Sequence, residues 1–167
     1  MKIISGGQTG ADRAALDAAI ALGMEYGGAV PKGRLAEDGP IDETRYPHLK
    51  ELRTAAYAAR TRRNVMDADA TLAFTDGPLT GGTAQTVRIA KARRRSYLVI
   101  DLQELMKRDA VKAIKTWLAE LRPAVLNVAG SRESVAPDIY RKVYRVLKEA
   151  LKKKRRRSSK RMTRKQA

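Results

Sequence analysis

The chain has 167 residues, 43% of them hydrophobic, enough for one domain with a buried core and no second. It contains no cysteine and one imidazole, His48, so disulfides, iron–sulfur clusters and thiolate sites are excluded and a protein-ligated zinc is not expected. Lys and Arg number 35 against 18 acidic residues, a net charge of +17, and aromatics are only 5%, so the core must be built from Ala, Val, Ile and Leu.

In chain order, the first apolar run is Lys2 to Ser5. Because MKIIS already reads as a strand, no secretory leader is expected. No apolar run approaches the roughly twenty residues of a membrane span, so no membrane partner is expected and the predicted location is cytoplasmic. SGGQTGAD, residues 5 to 12, then turns the strand into a helix over Ala11 to Leu22, and a second strand covers Tyr26 to Val30.

Pro31 to about Leu52 holds Pro31, Gly33, Gly39, Pro40 and Pro47 without a clean period. A loop that long reads as functional, with a solvated surface loop as the alternative. Lys32 and Arg34 are placed to close over an anion, and Glu37 and Asp38 to contact hydroxyl or amino groups of an organic ligand. His48 lies here in RYPHLK, an exposed setting that assigns it no role.

A helix over roughly Thr54 to Met66 and a strand over Thr71 to Thr75 lead into TDGPLTGGTAQT, residues 75 to 86, which opens a helix over Gly82 to Arg94. Strands follow at Tyr97 to Asp101 and Val125 to Ala129. The helix between them, Asp109 to Leu121, sets Val111, Ile114, Leu118 and Leu121 on one face, with Asp109 as its cap and Pro123 beyond its end. The last helix, Asp138 to Leu151, carries Ile139, Val143, Val146, Leu147 and Ala150 on one side and Lys and Arg opposite.

Apolar strands alternating with amphipathic helices predict an α/β, Rossmann-like, doubly wound fold: a mainly parallel five-stranded sheet with helices on both faces. Ligands of such folds bind beyond the carboxyl ends of the strands. GGQTG, PKGRLAEDGP, DGPLTGG and GSRES all fall on that edge. Gly81 and Gly82 let backbone amides approach a ligand, Thr80 or Thr83 can cap the helix, and the free amides and dipole favour a phosphate or carboxylate. Asp12 is favoured in the first turn of its helix by the dipole whatever the function, whereas Arg13 is disfavoured there, so an anionic partner would explain it better. The expected cleft comprises Gly6, Gly7, Gln8, Thr9, Gly10, Asp12, Arg13, Lys32, Gly33, Arg34, Thr80, Gly81, Gly82, Thr83, Ser131, Arg132 and Glu133, and the expected partner is a small anionic molecule.

Residues 152 to 167, KKKRRRSSKRMTRKQA, contain ten basic residues and no acidic ones, so the domain over residues 1 to 151 carries about +7 of the total. Such a block repels itself, is expected to stay disordered, and binds polyanions through counterion release. Without aromatics it would contact RNA or DNA non-specifically, through phosphates.

The motifs GGQTGADRAALDAAIALG, PKGRLAEDGPI, TRRNVMDADATLAFTDGPLTGGTAQT and LNVAGSRES resemble the molybdenum-cofactor carrier family over residue 3 to about 150. This family lies in a Rossmann-like superfamily that includes cytokinin-activating phosphoribohydrolases and DNA-processing proteins. The resemblance implies a non-catalytic protein, commonly a homo-oligomer, with the molybdenum cofactor (molybdopterin) as cargo. The dithiolene sulfurs belong to the pterin, so no cysteine is required. Asn64, Asp67 and Asp69 also resemble family positions, although an ordinary helix end explains them equally well.

The alternative is an enzyme like the phosphoribohydrolases. Their signature has two glycines before the Gly-Thr pair and a glutamate three positions after its threonine. Here Leu79 and Thr80 stand at the glycines and Thr86 at the glutamate, so a hydrolase would need Asp12, Glu37 or Glu133 instead.

Overall fold

A computed structural model describes residues 1–152 of the chain. Five helices, α1 (Ala11–Ala21), α2 (Tyr57–Asp67), α3 (Gly81–Ala92), α4 (Lys107–Leu121) and α5 (Ile139–Ala150), flank the strands β1 (Lys2–Ile4), β2 (Tyr26–Val30), β5 (Leu49–Glu51), β6 (Ala70–Thr75), β7 (Ser96–Asp101) and β8 (Val125–Gly130). These six strands form one sheet in the order β5-β2-β1-β8-β6-β7. Every pairing in it is parallel. The doubly wound α/β class is as expected, but the sheet has six strands where the sequence suggested five.

The extra strand, β5, pairs with β2 through Leu49 beside Gly28 and Glu51 beside Val30. It escaped the pattern because only Leu49 is buried while Lys50 and Glu51 are exposed, as an edge strand permits. The same stretch also holds a small antiparallel hairpin, β3 (Leu35–Ala36) with β4 (Gly39–Pro40). What read as a loop is therefore a hairpin and an edge strand.

Among the crossover helices, α1 and α4 lie on one face of the sheet, where α5 packs beside them, and α2 and α3 lie on the other. The first face is apolar: Ile3, Leu72, Phe74, Leu126 and Val128 meet the alanines of α1 and Ile139, Val143, Val146 and Leu147 of α5. Ala11, Ala14, Ala15, Ala18 and Ala19 keep α1 thin enough to pack closely beside α5. The α2 and α3 face buries polar groups instead, among them Thr61, Asn64, Thr83 and Thr86. Asn64 makes two bonds to β2, accepting from the Ala29 amide at 2.7 Å and donating to the Ala29 carbonyl at 3.0 Å.

Gly28 must be glycine: its φ is +127°, and a Cβ there would run into the Ser5 backbone of β1. Asp109 proves to be a first-turn residue of α4 rather than its cap, a position taken by Met106. None of the helices in the described residues is long and apolar enough to cross a membrane. The basic run lies outside the described residues apart from Lys152.

Candidate functional site

Strands β1, β8 and β6 are neighbours, so the loops that leave their carboxyl ends meet at one rim. There they enclose a cavity of about 210 Å³. Gln8 lines it from the β1–α1 loop, Asp12 from the first turn of α1, Thr80 to Thr83 and Thr86 from the cap and first turns of α3, Ser131 and Arg132 from the loop after β8, and Arg60 and Thr61 from α2.

On the α3 side the wall is a helix terminus. Thr80 holds the N-cap position in extended conformation, but neither it nor Thr83 makes the expected capping bond; α3 has no side-chain cap and no acidic residue in its first turn. The first intrahelical bond runs from the Ala84 amide to the Thr80 carbonyl at 3.1 Å. The amides before it have no partner within the helix and sit at the positive end of its dipole. A Cβ placed on Gly81 or Gly82 would meet no protein atom within 4 Å, so the glycines leave their backbone open to an approaching group.

Also in the lining, Asp12 is 2% exposed and accepts from the Gln8 amide at 3.3 Å and from Arg60 Nη1 at 2.9 Å. Burial raises the Asp12 pKa despite the nearby Arg60 charge. Arg60 lies directly on the loop, and a Cβ on Gly6 would collide with its guanidinium. The Gln8 carbonyl oxygen accepts from the amides of Thr9 at 3.0 Å and Glu37 at 2.9 Å. Two buried donors are left without a partner, Gln8 Nε2 and Arg60 Nε. Both belong to residues lining the cavity.

The remaining expected residues go elsewhere. Gly7 packs at φ +71° against Ile41. Thr9, Gly10, Arg13 and Glu133 line a separate groove of about 690 Å³. In that groove Arg13 has its anionic partner in the protein itself, a bidentate pair with Asp38 at 2.5 and 2.8 Å. Glu133 accepts from the amides of Asp138 at 2.6 Å and Tyr140 at 3.1 Å, fixing the start of α5. Asp17 accepts there from Tyr46 at 2.8 Å and Tyr140 at 2.6 Å.

Lys32, Gly33 and Arg34 do not reach the cavity. Lys32 is exposed, the Gly33 amide donates to Glu51 at 2.8 Å, and Arg34 is buried, donating to the carbonyls of Ile41 at 2.8 Å and Tyr46 at 3.0 Å. Glu37 and Asp38 likewise engage the protein: Glu37 accepts from Thr9, from Ser134 Oγ at 2.5 Å and from the Ser134 amide at 3.2 Å. The hairpin thus straps the β1–α1 loop to the loop after β8.

Sequence reasoning missed Arg60, Thr61, Thr86, Ser134 and Val135 as cavity residues. For Arg60 a signal existed: it stands four positions before Asn64, on the face of α2 that meets the sheet.

Fold and cavity together define a Rossmann-like α/β domain that offers glycine-bearing loops and unpartnered donors at the carboxyl edge of a parallel sheet. The chain belongs to the circularly permutated YpsA SLOG family, whose model matches residues 3–151. It is similar to a solved structure from Syntrophus aciditrophicus SB, named as a putative molybdenum carrier protein, with 47% identity, a TM-score of 0.87, and coverage of 90% of this chain and 94% of that one. No curated protein matches it.

Proposed function

We propose that this protein binds and carries a phosphorylated pterin, the molybdenum cofactor foremost, or a related nucleotide, with the anionic group at the N-terminus of α3. One observation carries the reading: the cavity is lined by the N-terminus of α3, a helix end with no side-chain cap, no acidic first-turn residue and two glycines that leave its backbone open. Backbone amides left free at a helix start, at the positive end of its dipole, are well partnered by a phosphate oxygen. The name of the similar solved structure supports a carried molybdenum compound.

The residues present suit such cargo. The pterin brings its own sulfurs, so the protein supplies only hydrogen bonds and charge. At about 210 Å³ the cavity is smaller than the ~300–1,000 Å³ typical of small-molecule sites, so it would enclose one end of the cofactor while the rest lies over the rim near Arg132 and Val135.

The decisive experiment is native mass spectrometry with metal analysis on protein from cells grown with molybdate. A pterin-sized adduct carrying molybdenum is expected on the wild type. Gly82→Asp, which sets a carboxylate against the anion, should lose it without unfolding the domain. Equal retention by that variant would remove the α3 terminus as the anion site.

A hydrolase reading rests on Asp12, the one carboxylate lining the cavity, whose raised pKa suits an acid. Incubation with nucleoside monophosphates tests it: release of free base above a buffer control, lost in Asp12→Asn, would favour hydrolysis.

A further inference from the structure

The two ends of the sheet are finished differently. At one end β5 is short and its Lys50 and Glu51 are exposed charged residues, features that keep an edge strand from pairing with another chain. At the other end β7 runs six residues, Ser96–Asp101, with no proline and no charged residue before Asp101. Among the described residues its only strand partner is β6. Ser96 and Tyr97 are exposed, and Leu98 and Val99 are half-buried.

The direction of its free main-chain groups follows from one bond. The Leu102 amide donates to the Thr75 carbonyl of β6 at 2.8 Å, so in an extended chain the even-numbered residues of β7 turn their backbone toward β6. Tyr97, Val99 and Asp101 turn theirs outward. Charge flanks the strand asymmetrically: the exposed Arg93 and Arg94 precede it, and Asp101 and the exposed Glu104 close and follow it. Among the described residues none of these four forms an ion pair. An antiparallel copy of the strand sets the Arg93–Arg94 end of each beside the Asp101–Glu104 end of the other, whereas a parallel copy sets like charges together.

We infer that β7 is the interface with a second copy of this chain: the two strands pair antiparallel about a two-fold axis at Val99, with Val99 beside Val99 and Tyr97 beside Asp101, and one sheet runs through both copies. A second copy is the fitting occupant because a two-fold axis matches both charged ends with the same surface. The antiparallel turn sends the carboxyl edges of the two sheets in opposite directions, so each copy keeps its cavity open. The interface is independent of what the cavity binds.

Analytical ultracentrifugation of the full chain, without added ligand, is the first test, and the wild type should sediment as a dimer or a multiple of one. Val99→Pro removes an outward amide without touching the ladder to β6, and should raise the dissociation constant at least about tenfold while circular dichroism stays that of the wild type. The chain has no cysteine, so Val99→Cys supplies a single thiol. Under mild oxidation two copies of that variant should join covalently, because hydrogen-bonded residues facing each other in an antiparallel pair lie about 5.5 Å apart at Cα, within disulfide reach. Lys50→Cys, on the opposite edge, should stay unlinked. A wild type that is monomeric at every concentration would overturn the inference, as would a folded Val99→Pro that associates as tightly as the wild type, or Val99→Cys that links no faster than Lys50→Cys. The cross-linking comparison decides the matter where Val99→Pro does not fold, and a negative result leaves the anion-binding reading standing.

Discussion

Arg60 donates to the buried Asp12 carboxylate with Nη1, so its loss removes the counter-charge of that group. Arg60→Leu leaves Asp12 buried without its counter-charge, and chemical denaturation should show a loss of about 3 kcal/mol at neutral pH. The Asp12 pKa is raised by burial, so the contribution of this group to stability is fullest below its unfolded value of 3.8 and is lost as pH rises through the folded value. The deficit of Arg60→Leu should therefore shrink in acid, and adding Asp12→Asn should restore most of it at neutral pH. A deficit that does not vary with pH would show that Arg60 acts through packing alone. Asn64 is the other buried polar residue of α2 with a clear duty. Asn64→Leu orphans both backbone groups of Ala29 and should cost about 3 kcal/mol in the same assay.

The β3–β4 hairpin joins the two loops that frame the cavity, and it does so through carboxylates. Desolvation raises the Glu37 pKa, but hydrogen bonds from Ser134 and Thr9 and the charge of Arg132 outweigh it, leaving it below the ordinary 4.5. The hydrogen bond from Arg13 comes first in lowering Asp38 below 3.8, with its charge adding to the effect. With both folded values depressed, the attachment is complete above the unfolded values and is lost as pH falls through the folded ones. Glu37→Gln should then raise amide hydrogen exchange at residues 35 to 40 in neutral solution, and the difference from wild type should close in acid. The energy involved is modest because one partner of each ion pair, Asp38 and Arg132, is nearly half exposed to screening solvent.

Over the whole molecule, charge is divided between a folded body near +7 and ten basic residues at 152 to 167. Counterion release by such a run binds polyanions with a steep salt dependence. Truncation after Leu151 keeps a residue that packs on the core, so thermal unfolding should be unchanged while salt-sensitive RNA or DNA binding disappears. Binding that survives truncation would have to come from the folded surface.

Five of the six sheet strands, the five α-helices and the edge on which the glycine loops fall were legible from the residues, because apolar runs and 3.6-residue faces follow directly from which side chains must leave water; the half-exposed edge strand β5 and the hairpin were not. Gln8, Asp12, Thr80 to Thr83, Ser131 and Arg132 were legible as rim residues for the same reason: a parallel sheet delivers every strand's outgoing loop to one edge. Which of those loops share a cavity was not. That depends on strand order, and β8, last in the chain, lies between β1 and β6. The same placement sends PKGRLAEDGP to a strap instead of an anion clamp: Arg34 is spent on buried carbonyls, Asp38 on Arg13 and Glu37 on Ser134, while Arg60 arrives from another helix to complete the wall. Local sequence specifies what a residue can bond to; only the tertiary fold decides which partners come within reach and which donors, at Gln8 and Arg60, are left over.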